Sequence, residues 1–173
     1  MNRRTFVALV VSAVSLTAGH ATVAPPATAG DSGDVDLVGA WRARVQFRTG
    51  AFSAVKDLEL MYAFNAGGTM TESSNYDASP PVPPAYGVWR RVQPRQYEAK
   101  YVFYLTKAPK AFEEIAGGGG WSPGGTGVLV EKISLAEDGK TFTSTISLEL
   151  FDEAGKPTGS SSHAESHAVR IGF

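Results

Sequence analysis

The sequence predicts an all-β protein, an eight-stranded antiparallel up-and-down β-barrel. Three observations predict it. Apolar and polar residues alternate with period two along most of the chain, and helical periodicity is nearly absent. The alternating runs number eight, each bounded by Gly, Pro, Asn or Asp. Short and long connections also alternate, so an up-and-down sheet collects the tight turns at one end and the long loops at the other. The result is a cup with a tight floor and an elaborated rim, and closure removes the sheet edges that invite aggregation.

Residues 1–29 read as a cleaved secretory signal peptide. Arg3 and Arg4 open it, a mostly apolar run from Phe6 to Leu16 follows, and Ala27-Thr28-Ala29 offers a small-x-small cleavage site. Arg3-Arg4 followed by Phe6 resembles a twin-arginine signal, and an ordinary signal that carries two arginines reads equally well. A secreted or periplasmic location is expected. Residues 30–37 form a polar leader, and 38–173 the barrel. No later segment reaches the roughly 18 apolar residues of a membrane helix.

The first strand is predicted over 38–48, where Trp41, Ala43, Val45 and Phe47 alternate with Arg42, Arg44 and Gln46. The second, 55–65, turns Leu58, Leu60, Tyr62 and Phe64 inward. The third, 68–75, is thinly marked: following Met70 inward brings Glu72 and Ser74 with it. The fourth, 86–92, offers Trp89 as its large inward residue, and the fifth, 96–106, offers Tyr97, Ala99, Tyr101, Phe103 and Leu105. In the sixth, 126–135, Val128/Val130/Lys132 and Leu129/Glu131/Ile133 are both acceptable inner faces. The seventh, 141–151, turns Phe142, Ser144, Ile146, Leu148 and Leu150 inward. The eighth, 160–172, contributes Ala164, Ser166 and Ala168 on the parity of Arg170. A bulge in any strand would invert its phase.

The tight turns are 65–68, 93–95 and 136–140. The rim receives 49–54, the proline-rich 76–85, the glycine-rich 107–125 with a helical turn near 108–115, and 152–159. Trp41, Phe64, Met70, Tyr97 and Phe142 then plug the floor. Leu58, Leu60, Tyr62, Glu72, Trp89, Tyr101, Phe103, Ile146 and Leu148 fall at mid-depth or near the mouth, facing a small-residue wall. A mostly apolar lining with a few polar groups suits a small hydrophobic ligand. Trp121, inside the glycine-rich loop, is a candidate lid.

Gly39-Ala40-Trp41 at the start of the first strand resembles the G-x-W signature of the lipocalins and the wider calycin superfamily. The resemblance implies that Trp41 closes the floor and that Arg170, from the last strand, covers it. It also implies a small, largely apolar ligand inside the barrel. The chain departs from typical lipocalins in lacking a C-terminal helix and any cysteine, and is closer to compact bacterial secreted lipocalin-like proteins.

The formal net charge of -1 suggests no nucleic-acid or anionic-membrane partner. Without cysteine there is no disulfide, zinc–thiolate site or thiol nucleophile. No nucleophile elbow, P-loop, dinucleotide-binding glycine pattern or H-E-x-x-H occurs, and no cofactor is expected. His163, Glu165 and His167 share one strand face and are conceivable metal ligands, but alternate residues on a strand lie about 7 Å apart. If Arg170 points inward, these three face solvent. Glu72 among tyrosines is the sharper candidate: burial would raise its pKa and suit it to proton transfer, and it could equally anchor an amine or pair with Arg91. Three functions follow. The first, which leads, is an exported binder of a small hydrophobic molecule, a monomer or weak dimer. The second is a barrel isomerase or cyclase using Glu72 and tyrosines. The third is a protein-binding or inhibitory module acting through the rim loops.

Overall fold

The computed structural model describes residues 36–76, 83–117 and 120–173. Residues 1–29, and the leader up to residue 35, lie outside the described residues, as does part of the proline-rich rim segment.

Eight strands close into one antiparallel barrel in sequence order. They are β1 (Gly39–Phe47), β2 (Leu58–Phe64), β3 (Thr69–Ser74), β4 (Ala85–Gln93), β5 (Gln96–Lys107), β6 (Ser122–Leu135), β7 (Thr141–Phe151) and β8 (Pro157–Arg170). A single helical turn, α1 (Phe112–Ala116), lies between β5 and β6. The barrel is sealed where β8 pairs with β1, from Trp41 opposite Arg170 to Phe47 opposite Ala164. Among the described residues no helix is long and apolar enough to cross a membrane.

Burial alternates along the strands, so each carries one face inward and one outward. In β6 the inner face is Leu129, Glu131, Ile133 and Leu135. The outside of the barrel carries ion pairs such as Arg42–Glu59, Arg48–Glu165 and Arg90–Glu98.

The floor is a packed aromatic plug. The rings of Trp41 and Phe142 are 4.9 Å apart, and Phe64 and Tyr62 stack at 5.5 Å. The Arg170 guanidinium carbon sits 4.2 Å from the Trp41 ring centroid. Its nitrogens donate to three carbonyls: Nε to Gly139 at 2.7 Å, Nη1 to Val38 at 2.6 Å and Nη2 to Asp36 at 2.5 Å. The Trp41 indole N–H donates to the Leu37 carbonyl at 2.9 Å. Leu37 is fully buried, so the end of the leader belongs to the floor.

Two placements differ from expectation. Trp89 is a floor residue rather than one at mid-depth or near the mouth. β4 runs from rim to floor, and its Trp89 amide donates to Gly68 in the β2–β3 turn. The indole N–H donates to the Asn65 carbonyl at 3.0 Å, and the ring packs on Phe64 and Tyr97. The second concerns the glycine-rich segment, whose last four residues are strand. β6 begins at Ser122, and Ser122, Pro123 and Gly125 pair with Lys107, Thr106 and Leu105 across a register shift. Gly125 has φ +113°, and a Cβ there would lie 2.0 Å from the Phe151 carbonyl oxygen. The glycine is needed for a close strand approach at a bulge, not for a loose loop.

Candidate functional site: a mouth cavity over a buried carboxyl pair

The interior is largely filled by its own side chains. What remains open is a cavity of about 50 Å³ at the rim end. That is room for a few water-sized groups, well short of the several hundred Å³ of most ligand pockets. Phe47, Phe52, Leu58, Leu60, Tyr76, Phe103, Leu129, Ile146 and Leu148 form its apolar wall, and Glu72 and Ser74 are its polar members.

Each wall residue is there by strand phase. Leu58 and Leu60 are the inward positions of β2 nearest the rim, and Ile146 and Leu148 are successive inward positions of β7. Phe103 owes its seat to a missing side chain opposite. A Cβ on Gly127 would lie 2.3 Å from the Phe103 ring, so the ring lies flat over bare backbone. At the mouth Phe52 touches Phe47 and Tyr76, with ring centroids 5.4 and 5.6 Å apart.

Below the cavity lies a polar layer. Glu72 on β3 stands opposite Tyr62 on β2. Glu131 on β6 is 0% exposed and Glu72 is 7% exposed. Tyr101 donates to Glu131 Oε2 at 2.9 Å, and Ser144 donates to Glu131 Oε1 at 2.5 Å. Ser144 has one proton, so in its 2.6 Å contact with Ser166 the Ser166 hydroxyl is the donor. Every hydroxyl in this hydrogen-bonded series thus points its hydrogen toward Glu131. Glu72 Oε1 is buried without a hydrogen-bond partner, and the buried Tyr62 hydroxyl lies beside Tyr101 and Glu131.

Electrostatics follow from this dry setting. Burial, with repulsion from Glu131 second, lifts Glu72 from an ordinary 4.5 to about 8. Burial also raises Glu131, while the donations from Ser144 and Tyr101 pull it back. Tyr62 and Tyr101 are pushed well up, first by burial and then by the Glu131 charge. Such a layer can hold a proton at neutral pH, accept a donor from a ligand or attract a cation.

Of the residues expected to line a site, Leu58, Leu60, Glu72, Phe103, Ile146 and Leu148 meet at the cavity. Tyr62 and Tyr101 are buried beside Glu72 and Glu131 without reaching the cavity surface. Trp89 is at the floor. Trp121 is 40% exposed and is not among the cavity's wall residues, so the rings over the mouth are Phe52 and Tyr76 instead. His163, Glu165 and His167 point outward, and Glu165 accepts from Arg48 at 2.8 Å. Sequence reasoning missed Glu131 as a site residue. The run to Leu135 held the signal: Leu129, Ile133 and Leu135 share a parity against Val128, Val130, Lys132 and Ser134.

No protein-family model matches the chain, and no curated protein matches it.

Proposed function

We propose that the protein is an exported binder of a small, mainly hydrophobic molecule, held at the rim end of the barrel. The observation that carries this is the mouth cavity: an apolar wall surrounding one buried carboxyl with an unpartnered oxygen. An apolar lining with few, convergent polar groups is the usual composition of a small-molecule site. The size of the space adds a constraint. A ligand longer than a few heavy atoms extends among Phe47, Phe52 and Tyr76 or displaces their rings. The signal-like residues 1–29 support export. Gly39-Ala40-Trp41 and the Arg170 stack on Trp41 support a lipocalin-like kinship.

The raised Glu72 and Glu131, with two buried tyrosines, favour a second reading, a barrel isomerase or cyclase. Glu72 would then exchange a proton with the bound molecule at near-neutral pH.

Native mass spectrometry of the mature protein purified from its own source tests the first reading. A discrete adduct released on denaturation is expected. The variant Leu148→Trp, which fills the cavity, should lack that adduct while keeping the barrel's circular dichroism. An adduct unchanged in Leu148→Trp, or none in the wild type together with no binding from an apolar panel, would overturn it.

A further inference from the structure

We infer that the cavity is selective for an amine: a ligand whose ammonium head sits on the Glu72 carboxylate while its apolar body lies among Phe47, Phe52 and Tyr76, an assignment that rests on the binding function proposed above.

Three observations carry it. The first is the unpartnered oxygen. Glu72 is nearly fully buried, Oε1 has no hydrogen-bond partner, and the residue lines the cavity. A buried acceptor left unmatched is costly, and a ligand N–H is the simplest group to satisfy it. The second is the want of an interior cation. Both oxygens of Glu131 already accept hydroxyl donors, so Glu72 is the carboxyl left open to a ligand. Among the described residues no Lys, Arg or His is buried, so no interior cation balances the two acids. An alcohol would satisfy the acceptor, but only an ammonium supplies the charge that an ionised Glu72 lacks, and an anion would repel it. The third is the mouth itself. Phe47, Phe52 and Tyr76 make the mouth an aromatic cluster, a lining that favours a cation or an aromatic body as it enters.

The proton balance follows. In the empty protein Glu72 carries a proton up to about pH 8. Seating an ammonium on it sends that proton to solvent, so one proton is released per ligand bound. The groups facing Glu72 are Tyr62 from β2, Tyr101 from β5 and Glu131 from β6, with Tyr76 on the same cavity wall. Tyr62 and Tyr101 stay neutral in the range concerned, being pushed further up by burial. Affinity for an amine therefore rises with pH, by at most about tenfold per unit below about pH 8, and then levels.

Calorimetry with phenethylamine, phenethyl alcohol and hydrocinnamate tests it on the mature protein. Phenethylamine should bind about tenfold or more tighter than the alcohol near pH 8, with the advantage shrinking towards about pH 6. Hydrocinnamate should be the weakest. The heat of amine binding should vary with the buffer's ionisation enthalpy, reporting the released proton. In Glu72→Gln, checked for an intact barrel by circular dichroism, the amine-to-alcohol ratio should fall to about one. If the alcohol binds the wild type as tightly as the amine, or Glu72→Gln keeps the preference, the amine assignment is wrong while hydrophobic binding stands. If none of the three binds at millimolar concentration, the cavity is not the site and both ideas fall.

Discussion

Glu72 holds its carboxyl where folding works against its charge. Its pKa rises from 4.5 to about 8 in the barrel, so between those values the folded protein keeps a proton that the unfolded chain gives up. Stability from this group is therefore unimpaired below about pH 4.5, falls as pH rises, and is lowest above about pH 8. A tenfold change in proton affinity corresponds to about 1.4 kcal/mol, so the cost reaches several kcal/mol. Glu72→Gln should flatten the decline in melting temperature between about pH 5 and pH 8.5; an unchanged slope in the variant would place the proton elsewhere. Tyr101→Phe is the complementary test. It leaves Glu131 Oε2 buried without its 2.9 Å donor and should cost about 1–3 kcal/mol, read from urea denaturation at pH 7. Legibility at this scale was uneven. Glu72 could be found because Met70 set the phase of its strand. Glu131 could not, because over residues 128–133 each face of its strand offers two apolar residues and one charged residue. Hydrophobic periodicity has nothing to decide between such faces, and only Leu135 breaks the tie.

At the scale of elements, alternation located all eight strands and both kinds of connection, since each inner face is marked by large apolar residues. Composition misled at Ser122 to Gly125. Glycine and proline there read as loop, yet the run is strand, because crowding from β5 and the Phe151 carbonyl leaves no room for side chains. Local composition cannot report a requirement imposed by a neighbouring strand. The difference is measurable. Gly125→Ala combines a clash at 2.0 Å with φ +113° and should destabilise by about 2 kcal/mol or more. Gly120→Ala, with nothing within 4 Å of its Cβ, should change stability by less than about 0.5 kcal/mol. Equal effects at the two positions would contradict a packed β6 start.

Across the whole molecule, the closed end and the open end do different work. At the floor Arg170 ties the last strand to Gly139, Val38 and Asp36 and stacks on Trp41. Arg170→Ala should cost about 2–4 kcal/mol, and Arg170→Lys should recover little, because a lysine cannot reach three carbonyls with one planar fork. Denaturation midpoints of the two variants check this. Gly39-Ala40-Trp41 made this end legible, whereas the filling of the interior was not: side-chain volumes in a barrel depend on shear and on which rings stack, and neither is written in alternation. The open end carries the functional claim, and methyl NMR tests it most directly. During titration with a panel of small apolar alcohols and amines, the methyl signals of Leu58, Leu60, Leu129, Ile146 and Leu148 should shift together while those of Leu37, Ile133 and Leu135 at the floor stay still. Shifts absent from the first set, or equal in both, would contradict binding in the mouth of the barrel.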